Sequence, residues 1–377
     1  MIPLAKPYLT EDEAKAAHDV VLTNWVTQGP RVQEFEEKFA KYVGSKYAVA
    51  LSNCTTALHL SMIVAGVGKG DEVICPSMSY IATANSILYT SATPVFAEVD
   101  HKTYNIDAKH AEQLITPKTK AILIVHQIGM PADIDAFKDL CKKYNLKLIE
   151  DAACAAGSSY KGEKIGSHSE LVCFSFHPRK IITTGDGGMI TTSNEEYYNK
   201  LKLLRQHGMS INDRVRHSSD KILFEEHVLV GYNYRMTDVQ AAIGIKQLEK
   251  LDWIVQERRK IAMQYINALK DIDCIELPIE AQGFYTNYQS FSIYLRKNCN
   301  ISRNDLMQKM LNKGIATRRG IMNSHREKAY LDLGYKDQLP ISEDAADNSI
   351  VIPLYVPMNA DDINSIIKEF KELILFP

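Results

Sequence analysis

Ser175-Phe176-His177-Pro178-Arg179-Lys180-Ile181-Ile182-Thr183-Thr184-Gly185-Asp186-Gly187-Gly188 follows directly on a short apolar run, residues 171–174. The run has the length and composition of a buried strand, and the glycines and threonines after it permit a tight backbone path. A lysine just past the end of such a strand reaches into the crevice outside the sheet. If that crevice is partly desolvated and already positively charged, the ammonium pKa falls, giving an amine able to form an imine with an aldehyde. Read alone, Lys180 also fits a solvated side chain beside a flexible loop.

Working outward, similar runs recur at 47–51, 72–75, 94–99, 121–126, 147–151 and 189–192, separated by helix-like segments. Together with 171–174 they predict an α/β fold with a mostly parallel seven-stranded sheet, covered by helices on both faces. Ligands on such sheets sit beyond the carboxyl ends of the strands, which directs attention to 52–56, 76–80, 151–157 and 175–188. A first helix is expected from Thr10, with Glu13 completing a capping box, and a second carrying Phe35 and Phe39 after a loop at 24–30. A long helical pattern through Gln247, Leu248, Leu251 and Val255 towards Leu269 links residues 1–250, a large domain, to a smaller α+β domain at 251–377. The smaller domain has a strand candidate at 290–296, a helix at 302–314 between Ser302 and Gly314, and a last helix at 361–373.

At 377 residues the chain exceeds what one hydrophobic core usually serves, in line with two domains. Forty-four basic against 46 acidic residues give a formal charge of -2, and no Lys/Arg-rich run stands out. The electrostatic footprint of a nucleic-acid binder is missing, which points to a small-molecule partner. Seven cysteines without a CxxC pair indicate a reducing compartment and neither a disulfide framework nor a metal site. With no apolar segment long enough to span a bilayer and no apolar N-terminal region, the chain reads as a soluble cytoplasmic protein without membrane attachment.

Three further segments carry chemistry. Glu150-Asp151 ends an apolar strand and is followed by the small residues Ala152, Ala153 and Cys154, which leave room for a planar ring. A carboxylate there would hold a pyridine nitrogen protonated, although a strand-ending Asp is also an ordinary helix cap. Ser52-Asn53-Cys54-Thr55-Thr56 leaves a strand and opens an apolar helix, whose unpaired amides suit a phosphate, or serves simply as a Ser/Thr cap. Tyr80 is placed to stack on a ring, a role that a half-buried tyrosine does not need.

Taken in order, the phosphate cap, aromatic, strand-end Asp and Lys-x-x-Thr-Thr-Gly-Asp-Gly-Gly resemble the DegT/DnrJ/EryC1/StrS family of sugar aminotransferases, which are fold-type I pyridoxal-phosphate (PLP) enzymes. The resemblance runs from Trp25-Val26-Thr27-Gln28-Gly29-Pro30 through Gly70-Asp71-Glu72-Val73 to Asn233-Tyr234-Arg235-Met236-Thr237-Asp238 and covers nearly the whole chain. It implies that Lys180 is the Schiff-base lysine and proton shuttle, Asp151 the partner of the pyridine nitrogen and Tyr80 the stacking aromatic. Thr55, Thr56 and Ser175 become phosphate contacts. Asn233 becomes a ligand to the phosphate of a neighbouring subunit, which implies a homodimer with shared sites. Three departures stand out. Cys154 replaces a ring-contacting Gln or His, Asp186 replaces the commoner Glu, and of a His-Pro-x-His substrate loop only His325 remains, Met322 holding the first position. Arg318 and Arg319 near that loop suit a substrate diphosphate or form a surface pair.

The resemblance further implies transfer of an amino group from glutamate to a nucleotide-linked keto-sugar by a ping-pong cycle, at C4 of a 4-keto-6-deoxyhexose. Amination at C3 and an inosose substrate remain alternatives. A sugar dehydratase on this fold replaces the lysine by histidine, so Lys180 argues against it. A non-catalytic regulator lacks support from any helix-turn-helix segment or basic face.

Overall fold

The computed structural model describes residues 1–211 and 221–376. All seven runs are strands of one sheet: Tyr47–Leu51, Glu72–Pro76, Thr93–Ala97, Thr119–Val125, Lys147–Asp151, Leu171–Ser175 and Gly188–Thr192. From Thr93–Ala97 at one edge, the order runs through Glu72–Pro76, Thr119–Val125, Lys147–Asp151, Leu171–Ser175 and Gly188–Thr192 to Tyr47–Leu51. The first four pairings are parallel, and Gly188–Thr192 is antiparallel to both of its neighbours. The expected mostly parallel sheet is therefore present, with one reversed strand inserted near its edge.

Both faces of the sheet are covered. On one, Phe39 of the helix Pro30–Val43 packs edge-on against Phe174 and Phe176, and Phe35 meets Phe176 at a tilt, all four fully buried. On the other lies Cys54–Val64, apolar on nearly every side, so that Leu58, Leu60 and Met62 are all buried. The capping box of Thr10 and Glu13 forms at the start of the helix Glu11–Leu22. Glu13 also accepts bonds from Gln247 and Lys250 of the long helix Asp238–Leu269, and these donors outweigh burial to hold its carboxyl down at about 2.

A four-stranded antiparallel sheet (Ile275–Glu276, Phe291–Leu295, Ser349–Ile352, Arg318–Arg319) forms a second layer with the helices Arg303–Asn312 and Ala360–Leu375. Ser302 caps the first of these helices, and Gly314, at φ 77°, follows its end. The long helix serves both cores: Leu251, Ile254 and Val255 join the sheet core, while Ile261, Tyr265 and Leu269 join the second. The change of core thus falls inside the helix, a few residues beyond 250. It is not a single cut either, because Tyr330 and Leu339 return to the first layer and Ile2 crosses to pair with Ile315.

Candidate active site

One cleft of about 580 Å³ opens beyond the carboxyl ends of the parallel strands, and it is lined by Thr55, Thr56, Tyr80, Asp151, Cys154, Ser175, Lys180, Arg318 and Arg319. Nine of the sequence candidates thereby share one cavity. Asn233 and His325 do not.

Asp151 forms the floor. As the last residue of its strand it is almost wholly buried; one carboxylate oxygen accepts from the Thr83 hydroxyl at 2.8 Å and the other from the Ala153 N–H at 3.1 Å. Burial raises its pKa, against those two donors and the more distant charges of Lys180 and His126. A buried carboxylate whose hydrogen-bond donors are neutral has capacity for a cation, and a protonated ring nitrogen fits that need. Strand alternation sends Glu150 the opposite way, where His126 Nε2 meets it at 2.8 Å with both side chains fully buried.

At the far side of the cleft, Asn53 caps the helix Cys54–Val64 by accepting the Thr56 N–H at 2.9 Å, and the Thr56 hydroxyl donates back to the Asn53 carbonyl. This turn lies tight against the start of the next strand. A Cβ on Gly188 would stand 2.3 Å from the Asn53 carbonyl oxygen, so the second glycine of the Gly-Gly pair is required by close backbone approach. Ser175, largely buried, and Thr55 border the same space. A phosphate in front of this helix end would meet backbone amides and the favourable end of the helix dipole.

Lys180 is carried by a loop fixed at both ends. Phe176 N–H donates to Gly187, Thr184 N–H to Phe176, and Thr183 N–H to Gln247 of the long helix. Its Nζ lies 3.2 Å from Cys154 Sγ. Burial pulls the ammonium pKa down, yet Cys154, Asp151 and Cys54 together raise it above the ordinary lysine value. The condition for a depressed pKa, a positive charge acting on the amine, is not met at Nζ, where Cys154, Asp151 and Cys54 favour the ammonium form. Replacing Cys154 with Ala should lower the Lys180 pKa and so speed PLP capture at a fixed, mildly alkaline pH. The rate of cofactor binding against pH measures this, and an unmoved midpoint would show that the thiol has no such influence.

His325 sits in the core, 3 % exposed, with Nδ1 2.5 Å from Ser77 Oγ and Nε2 3.2 Å from Glu343. It holds the loop after Pro76 to the second layer and does not reach the cleft, which corrects its reading as a substrate ligand. Asn233 is exposed and, among the described residues, bridges through its backbone to Gln206. The neighbouring motif residue Asp238 has an internal purpose: its carboxylate takes the N–H groups of Gly29, Arg31 and Val32 and so caps Pro30–Val43. Residues that sequence reasoning passed over are Thr83, one helical turn after Tyr80, and Ser79, which bonds the Thr83 hydroxyl at 2.7 Å. Their only signal was proximity to a strand end.

Fold and site together define a PLP-dependent aminotransferase of fold type I. Residues 7–371 match the model of the DegT/DnrJ/EryC1/StrS aminotransferase family. The chain is 35 % identical to the uncharacterized protein MJ1066 of Methanocaldococcus jannaschii over 99 % of this chain and 97 % of that protein. Among solved structures it is similar to the putative sugar aminotransferase Spr1654 of Streptococcus pneumoniae in its PMP form (28 % identity, TM-score 0.94, covering 100 % of this chain and 99 % of that one), a protein also solved in a PLP form. It is likewise similar to Helicobacter pylori PseC, an aminotransferase involved in pseudoaminic acid biosynthesis (28 % identity, TM-score 0.93, 99 % of each chain). The chain belongs to the DegT/DnrJ/EryC1/StrS aminotransferase family, and its cofactor is pyridoxal phosphate.

Proposed function

We propose that this aminotransferase moves the amino group of glutamate to a nucleotide-linked keto-hexose, at C4 of a 4-keto-6-deoxy sugar. The product would serve amino-sugar or surface-polysaccharide biosynthesis in the cytoplasm. The observation that carries this reading is the joint placement of Lys180 and Asp151 on the floor of a cleft whose mouth bears Arg318 and Arg319. When bound, PLP supplies an electron sink for charge developing on the carbon that loses or gains a proton. Asp151 keeps the ring nitrogen protonated, and the amides of the Cys54–Val64 helix with Thr55, Thr56 and Ser175 hold the phosphate. Tyr80 covers the ring. Lys180 Nζ would take the proton from the donor carbon and return it at the other end of the reacting system. Cys154, in hydrogen-bond reach of that nitrogen, borders the path.

The guanidiniums at the mouth favour a diphosphate-bearing acceptor, because their forks match phosphate geometry. The purified protein should be screened with glutamate against UDP-, dTDP- and GDP-linked keto-sugars and against an inosose. Mass and NMR of the product then fix the ring position. Turnover confined to the inosose would replace the nucleotide-sugar reading.

The active unit in this reading is a homodimer with shared sites. Asn233 is exposed and does not line its own cleft, which leaves its side chain available to a partner. Exposed Ile222, Phe224, Val228 and Val230 beside it supply apolar surface for such an interface. Lys180→Ala protein mixed with an inactive variant carrying Asn233→Ala and a second lesion in the same composite site should regain activity after subunit exchange, since one site can be wholly wild type. A heterodimer confirmed by mass that stays inactive would withdraw Asn233 from this role.

A further inference from the structure

Arg179 and Arg318 enter the cleft from different layers: Arg179 from the loop beside Lys180, Arg318 from the two-residue strand of the second sheet. The main chain of Arg179 is fixed on both sides. Its N–H donates to His177 Nδ1 at 3.2 Å, and its carbonyl accepts from Gln289 Nε2 at 2.9 Å. Neither guanidinium has a hydrogen-bonded or ion-paired acid among the described residues, whereas Arg319 reaches Glu327 at 3.4 Å. The carboxylates lining the cleft have other places: Asp151, bonded by Thr83 and Ala153 at the floor, is assigned to the cofactor ring, and Asp186 accepts the Gly187 N–H. Burial first, then repulsion from Arg179 and Arg319, keeps the Arg318 guanidinium below the ordinary arginine range, with Tyr80 opposing. Two like charges at one cavity without a counter-ion are the complement of an anion, and a carboxylate is the planar group that arginine forks hold best.

An amino donor must bring its nitrogen to the position of Lys180 Nζ, and an α-amino acid carries a carboxylate on the same carbon as that nitrogen. Arg179 is the next residue in the chain. We infer that Arg179 holds the α-carboxylate of the amino donor, and that Arg318 opposite takes the second carboxylate of an acidic amino acid, in the first half of the cycle. The inference rests on the glutamate-dependent reaction proposed above. In a ping-pong cycle the two substrates occupy the cleft in turn, so Arg318 can meet an acceptor phosphate afterwards, while Arg179 is assigned to the donor.

The test is the first half-reaction of the PLP-loaded protein, followed by cofactor absorbance without any sugar present. Glutamate is compared with its two mono-amides, glutamine and isoglutamine. Arg179→Met should lose about 10- to 100-fold with glutamate, the scale of a charge-assisted hydrogen bond, and Arg179→Lys should recover part of it. With the mono-amide that lacks the contacted carboxylate, wild type and Arg179→Met should agree within about threefold, because the interaction is already gone. A merely structural role for Arg179 would give equal losses with all three donors and would overturn the assignment. So would losses confined to the second half-reaction with a nucleotide-linked sugar, which would give Arg179 to the acceptor's phosphates. Wild-type protein inert towards all three donors sinks the glutamate reading and this site with it; a reactive wild type matched by Arg179→Met sinks the site alone.

Discussion

Lys180→Ala protein should bind PLP through its phosphate and ring contacts but lose transamination by at least about 10⁴-fold, the upper range for removing a positioned acid–base group. The effect is large because the residue performs two tasks at one atom. In the proposed mechanism its Nζ is both the anchor for the cofactor aldehyde and the group that moves the proton, and among the described residues no second lysine lines the cleft. The neighbouring cationic side chains, Arg179 and Arg318, carry guanidiniums and not an amine that an aldehyde can capture, so they cannot take its place. Steady-state turnover measures the loss. Independently, borohydride treatment of the wild type should fix PLP to the peptide that contains Lys180, and an adduct on another lysine would overturn the assignment, as would wild-type-like turnover of the alanine variant.

Asp151→Asn should slow turnover by about 10²- to 10³-fold while weakening PLP binding far less. An amide preserves size and much of the bonding to Thr83 and Ala153, so the fold of the strand end is retained. What disappears is the negative charge that is proposed to keep the ring nitrogen protonated. Burial raises the Asp151 pKa, so a cation beside it would favour its charged form. A loss under about tenfold, or 1.4 kcal/mol, would mean that Asp151 is only a strand-end cap.

The sheet was legible because each strand is a short apolar run closed by a turn or a helix signal, and the strand-end rule then placed Lys180, Asp151, Thr55 and Tyr80 near one another. Strand direction was less visible. Nothing in the composition of 189–192 distinguishes a reversed strand from a parallel one, since both are buried on two faces. The two-residue strands Ser159–Tyr160, Glu163–Lys164 and Phe284–Tyr285 are too short to leave a periodic pattern. His325 misled for a different reason. A histidine in a motif reads the same whether it meets a ligand or, as here, bonds a buried serine and a glutamate between two layers. Thr83 was missed because its hydroxyl acts through Asp151, a contact that only three-dimensional packing reveals.

The reversed strand Gly188–Thr192 has a consequence for how the site is assembled. Because it pairs directly with Leu171–Ser175, the loop 176–187 that bears Lys180 is closed by partners adjacent in the chain, without the helical crossover that a parallel neighbour would demand. Closing so short a loop costs little chain entropy, and the cost grows only with the logarithm of length. The cap of Pro30–Val43, by contrast, requires Asp238 to find Gly29 across 209 positions. The turn that presents Lys180 is therefore closed locally, with Gln247 and Gln289 adding two distant bonds, while the scaffold beneath it awaits most of the polypeptide.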